Sequence, residues 1–133
     1  MRTWNLKTDP RDLGYFMPGE WVEHNCCWMA WPCRSGLWSR NQETMQEYAN
    51  VANTIAKFEP LKMLVPSEQI DSATNFLNQS VEIVEMRIDD SWARDSGPNF
   101  LIGGDNLAGS TWVFNAWGEK YHPYDQDAQM AKR

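Results

Sequence analysis

No apolar run in this 133-residue chain approaches the roughly 20 residues that a membrane-spanning helix needs. Basic residues are also scarce: 12 Lys and Arg stand against 18 Asp and Glu, for a net charge of −6 and an isoelectric point near 4.8. That balance argues against nucleic acid, because phosphate binding needs a basic surface, and against docking on an anionic membrane. A small cationic ligand would suit it. Three cysteines, an odd number, provide no disulfide framework and fit a reducing compartment. The opening Met-Arg-Thr-Trp-Asn-Leu-Lys-Thr-Asp-Pro lacks the apolar core of a signal peptide, so a cytoplasmic location is expected. Histidine is scarcer still. Any Cys–His or Ser–His pair within the chain would have to use His24 or His122, and the spacing supports neither.

What is present is an ordinary globular composition, 42% hydrophobic and 23% charged, with room for one domain. Tryptophan is abundant. Five of the 8 indoles (Trp4, Trp21, Trp28, Trp31, Trp38) fall before residue 39. Filling a core is the expected use, and an aromatic platform for cations or sugars is the alternative.

Residues 1–19 read as a loosely ordered lead-in. Cys26 to Trp31 is a short apolar run, consistent with a buried strand stopped by Pro32. Ser39 to Gln42 has the spacing of a capping box, and Met45, Tyr48, Ala49, Ala52, Ile55 and Ala56 form one apolar stripe of a helix ending at Pro60. Leu61 to Val65 reads as a strand stopped by Pro66. Ser67 is expected to cap a second helix with Ile70, Ala73 and Leu77 on one face. Val81 to Met86 is the next strand. Asn99 to Ile102 and Leu107 to Phe114 form a hairpin around Gly103-Gly104-Asp105-Asn106. This order predicts the α/β class, with a mixed sheet carrying helices. Gly118 to Arg133 stays polar, and its end from Asp125 to Arg133 reads as the first turns of a helix, so a truncated carboxyl end is expected.

The densest chemistry is Asp89-Asp90-Ser91-Trp92-Ala93-Arg94-Asp95-Ser96-Gly97-Pro98, directly after a predicted strand. Strand ends that place charged and aromatic residues in a turn are common ligand sites in α/β proteins. A carboxylate takes a guanidinium through paired hydrogen bonds, and an indole face attracts the same cation. A polar turn closed by an internal Arg94–Asp salt bridge is the alternative. Asn115-Ala-Trp117-Gly118 also follows a strand, as a second pocket wall or a simple turn. A metal site at His24, Cys26, Cys27 and Cys33 is not expected, because adjacent cysteines on a strand point to opposite faces. Apolar neighbours would raise the thiol pKa values, so no nucleophile is expected among them. Gly103 and Gly104 have no helix after them and form no phosphate cradle.

Three blocks together carry a resemblance: Pro18-Gly19-Glu20-Trp21-x-x-His24 with Trp28-Met-Ala-Trp31-Pro32, then Asp89 to Pro98, then Phe114-Asn-Ala-Trp117-Gly118. They resemble the amino-terminal part of the agmatine deiminases, which belong with the bacterial peptidyl-arginine deiminases in the guanidino-group-modifying superfamily. The resemblance implies part of a pseudo-symmetric α/β-propeller of ββαβ-type units. Residues 1–19 would be a lead-in, and 20–133 the amino-terminal portion of one catalytic domain, cut short at its carboxyl end. The implied reaction converts agmatine and water to N-carbamoylputrescine and ammonia, toward putrescine, with no cofactor. A cysteine attacks the guanidinium carbon while a histidine serves as acid and base.

The motif match implies that Asp95 binds the guanidinium and takes part in catalysis, with Trp92 as a pocket wall. It places Asp89 and Asp90 in the same substrate block, where they either shape the loop or add negative potential. Arg94 is expected to hold the loop through a salt bridge. The family's histidine and carboxy-terminal cysteine motifs have no counterpart here, so the chain alone is expected to be inactive. The expected partner is agmatine, and the full-length family members are often oligomeric. A non-catalytic guanidine- or polyamine-binding module, a peptidyl-arginine deiminase and a Trp-rich carbohydrate-binding domain are the alternatives.

Overall fold

A computed structural model describes residues 9–38 and 41–133. Its centre is a three-stranded parallel sheet in the order β1 (Cys27–Ala30), β2 (Leu61–Val65), β3 (Val81–Glu85). Cys27 pairs with Leu61 and Leu61 with Val81, so the three strands start level. Prolines at 60 and 66 bracket β2, and because proline lacks an N–H it confines the ladder to the five residues between them.

Helices α1 (Asn41–Ile55) and α2 (Ile70–Thr74) connect successive strands. The α1 stripe behaves as its spacing predicts. Ala49 and Ala52 are fully buried, and Met45, Tyr48, Ile55 and Ala56 pack beside them on Leu61, Met63 and Val65. The side chains are small at the closest approach, so the helix lies tight on the sheet. Alternate β2 residues point the other way, and Leu64 joins Ala30, Ile88 and Met130 in a second cluster. The central strand is therefore buried on both faces, as expected for a parallel sheet.

Several expectations change. The Ser39 cap lies outside the described residues. Helix α1 ends at Ile55, and turns carry the chain on to Pro60. Ser67 opens a 3-10 turn (Ser67–Gln69) rather than α2, and its hydroxyl contacts Glu68 instead of capping a backbone N–H. The hairpin of β4 (Asn99–Gly103) and β5 (Asn106–Ser110) does not extend the sheet into a mixed one. Residues 86–98 turn the chain across the second face instead, where α3 (Ala93–Ser96) sets Ala93 against the Ala30–Leu64 cluster. β5 stops at Ser110, opposite the first residue of β4, so Trp112 and Val113 are left exposed.

The described part of the lead-in is also tied down. The Asp9 side chain caps a 3-10 turn at Pro10–Leu13, and Phe16 exchanges backbone hydrogen bonds of 3.0 and 2.9 Å with Ile102. Beyond the hairpin come two single turns, α4 (Ala116–Glu119) and α5 (Asp127–Met130). Trp31 alone among the described indoles is fully buried. The expectation that tryptophan mainly fills the core fails, because most of these rings lie at or near the surface.

Candidate active site

The site is built on the loop that follows β3. Ile88 anchors that loop in the second core cluster, and two carboxylates then fasten it. Asp89 Oδ2 accepts the N–H groups of Gln126 (2.7 Å) and Asp127 (3.3 Å). Asp127 Oδ1 accepts those of Asp89 (2.8 Å) and Asp90 (3.4 Å) in return. Two chain segments thus clasp each other reciprocally. Burial pushes the Asp127 carboxyl up to about 6, with the neighbouring Asp89 and Asp90 charges adding to the effect against the hydrogen bonds from their N–H groups.

Asp90 is 2% exposed and its oxygens are occupied. Oδ2 receives Arg34 Nε at 2.7 Å, while Oδ1 receives Trp38 Nε1 at 3.1 Å and the Ser91 N–H at 2.8 Å. The remaining Arg34 nitrogens donate to the carbonyls of His122 (3.0 Å) and Pro123 (2.7 Å). These bonds hold the loop in its shape.

Asp95 is different. It stands exposed on α3, and no Lys or Arg among the described residues pairs with it. Its Oδ1 accepts a hydrogen bond from Trp117 Nε1 at 3.3 Å. Trp92, which precedes α3, sets its ring edge-to-face with Trp117 at 5.6 Å and tilted to Trp38 at 6.2 Å. Phe114 and Tyr121 pack edge-on against Trp117 at 5.4 and 5.9 Å. Among the described residues this leaves one carboxylate without a cationic partner, bonded to an indole that packs against three further rings, an arrangement suited to a planar cation.

Trp117 reaches Asp95 from an unusual backbone. Ala116, Trp117, Gly118 and Glu119 have φ of 49°, 55°, 83° and 61°, so α4 is a turn wound left-handed. Asn115 steadies it by accepting the Gly118 N–H at 3.1 Å. For three residues with a Cβ such a turn costs roughly 3–6 kcal/mol, and strain of this kind gathers where a side chain must be aimed. Of the two readings of Asn115–Gly118, the structure shows the turn, from which Trp117 reaches Asp95.

The loop is not closed by an internal ion pair. Arg94 instead reaches Glu20 at 2.6 Å, both side chains largely exposed, and so ties the loop to the segment before β1. Sequence spacing did not reveal Arg34, Trp38 or Asp127, whose partners lie 37 to 89 residues away.

Two of the thiols, Cys27 and Cys33, follow the sequence reading. Burial pushes the Cys33 thiol up to about 12, with the Asp127 and Asp90 charges adding to it, and burial also raises Cys27. His122 packs on the Tyr124 ring at 5.0 Å. His24 and Cys27, but neither Cys26 nor Cys33, meet Glu59, a residue that the sequence reading did not include. The bond from His24 to the Val22 carbonyl and the neighbouring Glu59 raise the His24 pKa.

Comparison with known proteins places the fold. An agmatine deiminase of Enterococcus faecalis, in a structure described as catalysing its reaction, superposes with a TM-score of 0.87 at 34% identity over 92% of this chain and 35% of that one. The fold is thus about a third of a guanidino-group-modifying α/β-propeller. Residues 16–133 match the model of the Porphyromonas-type peptidyl-arginine deiminases, and the chain belongs to that family. It is 40% identical over 135 residues to an agmatine deiminase of Stutzerimonas stutzeri, and 43% over 134 residues to a Mycoplasma mycoides protein provisionally named as one. Each alignment covers 96% of this chain, which spans about 37% of the length of those curated relatives.

Proposed function

We propose that this chain supplies the guanidinium-recognising wall of an agmatine deiminase. That reaction hydrolyses agmatine to N-carbamoylputrescine and ammonia, on the way to putrescine. The observation that carries the reading is Asp95, an exposed carboxylate without a cationic partner among the described residues, oriented by Trp117 Nε1 and flanked by the Trp92 ring. In this role Asp95 takes the guanidinium N–H groups, and Trp92 and Trp117 cover its faces. Asp89 and Asp90 act indirectly by fixing the loop. The overall charge of −6 suits agmatine, which is cationic at both ends.

The attacking cysteine and the acid–base histidine come from sequence outside the three blocks. Burial raises the Cys27 and Cys33 thiols, which argues against either as that nucleophile. The three free thiols fit a reducing, cytoplasmic setting.

Tryptophan fluorescence tests the reading. Agmatine should quench it, while putrescine, which lacks the guanidinium, should not. Asp95→Asn should weaken the agmatine response about tenfold to hundredfold, the worth of one charge-assisted hydrogen bond, without altering the circular dichroism spectrum. An equal response in the variant would sink the assignment of Asp95. The purified chain should also form no ureido product from agmatine. Measurable N-carbamoylputrescine would show that the nucleophile lies within these 133 residues after all.

A further inference from the structure

We propose that His24, Cys27 and Glu59 form a binding site for a zinc-class transition-metal ion, at the end of the parallel sheet opposite the Asp95 loop. The site begins with a backbone bond. Cys27 N–H donates to the Pro60 carbonyl at 2.9 Å, which brings the first residue of β1 beside the segment that enters β2. Glu59 immediately precedes Pro60, and His24 lies three residues before Cys27. One donor atom from each of the three falls within 4.8 Å of the others. The Asp95 loop follows β3 at the carboxyl ends of the same parallel strands, so the two sites are separated by the length of the sheet.

The histidine is oriented as a ligand would be. Its Nδ1 lies 3.1 Å from the Val22 carbonyl, and donating there leaves Nε2 with a lone pair. That nitrogen contacts the Glu59 carboxylate, with which it shares a proton when no metal is bound, and lies 3.7 Å from Cys27 Sγ. All three groups can donate an electron pair, and a metal ion that binds them takes the place of that proton. A catalytic relay is excluded by the same geometry: it would place the carboxylate on Nδ1 and the thiol on Nε2, whereas here both meet Nε2.

The chemistry of the donors selects the ion. Thiolate, imidazole and carboxylate together suit zinc rather than magnesium or calcium, which prefer oxygen alone. Usual zinc bond lengths at a tetrahedral angle separate sulfur from nitrogen by about 3.6 Å, close to the 3.7 Å seen between Cys27 and His24. The Glu59 carboxylate must withdraw from its contact with His24 to the roughly 3.4 Å that two zinc bonds require, which the partial exposure of both side chains permits. Three protein donors leave a position for water. Bound there, the ion would staple the segment before the edge strand β1 to the turn that follows α1.

Titration of the metal-free chain with Co2+, followed by Zn2+ competition, tests the proposal. One ion per chain should bind and show an ultraviolet thiolate-to-cobalt charge-transfer band. Cys27→Ser should abolish that band, and Glu59→Gln should weaken binding roughly tenfold or more. Cys26→Ser should leave both unchanged. Zn2+ should raise the thermal midpoint of the parent chain and of Cys26→Ser, but not of Cys27→Ser. A band that survives Cys27→Ser, the lack of any band, or equal loss in Cys26→Ser would overturn the site. Should Cys27→Ser fail to fold, the Glu59→Gln titration and the zinc-dependent midpoint of the parent chain decide the matter.

Discussion

A Cβ added at Gly97 would stand 2.5 Å from the Ala93 carbonyl oxygen, although Gly97 itself has an ordinary φ of −77°. The carbonyl is held there by the Gly97 N–H at 2.9 Å, so the clash is with backbone that cannot rotate away. Gly118 is the opposite case. Nothing lies within 4 Å of its Cβ position, but its φ is +83°. Gly97→Ala should therefore cost about 1–3 kcal/mol and shift the near-ultraviolet circular dichroism of the indoles, since α3 must move with Trp92 and Asp95. Gly118→Ala should cost about 1 kcal/mol and leave that spectrum alone. Urea unfolding read beside the spectra separates steric from conformational demand. The glycine of the Asp89–Pro98 block is thus there to let α3 close tightly.

At the level of elements, the unusual feature is the clasp between the loop after β3 and α5. The folded Asp127 carboxyl titrates at about 6, against 3.8 for the ordinary group. Above that pH the carboxylate is charged in both folded and unfolded chains, and the cost of burying the charge is fully present. As pH falls from about 6 toward 3.8, the folded chain takes up its proton first and that cost is released. Asp127 should thus favour the fold more at pH 4 than at pH 7. Asp127→Asn, which keeps an acceptor for the Asp89 and Asp90 N–H groups, should remove this dependence. Thermal midpoints of parent and variant across that range check it, and parallel curves would refute it. The left-handed α4 is the second local departure, and its strain is balanced by the packing of Phe114, Tyr121 and Trp92 around Trp117.

Across the whole molecule, the two ion pairs of the Asp90–Arg94 region have unequal weight. Arg34–Asp90 is nearly buried, 12% and 2% exposed, and Arg34 also holds the carbonyls of His122 and Pro123. It joins the turn after β1, the loop after β3 and the segment leading to α5. Asp90→Ala leaves a buried guanidinium uncompensated and should cost about 3–5 kcal/mol. Arg94–Glu20 is 78% and 73% exposed, and Arg94→Ala should cost at most about 1 kcal/mol. Equal midpoints for the two variants in urea would contradict this division. Loss of the first pair should also abolish the agmatine response, because Trp38 and Trp92 rest on the loop that Asp90 fastens.

Features that depend on neighbours along the chain could be read in advance. The α1 stripe, the bounds of β2 between two prolines, the hairpin turn and the Trp92–Asp95 spacing all follow from local periodicity and local stereochemistry. The sequence by itself determined the alternation of strands and helices, and it placed a carboxylate beside an indole at a strand end. Tertiary structure decided which carboxylate is left open. Asp89 and Asp90 are set apart from Asp95 chiefly by Arg34, Trp38, Gln126 and Asp127, which approach from distant segments. It also detached the hairpin from the sheet, turned most of the indoles outward and gathered His24, Cys27 and Glu59 at one end of the sheet. The reason is physical: burial periodicity is a property of a single segment, whereas the partner that neutralises a charge is chosen only when segments pack.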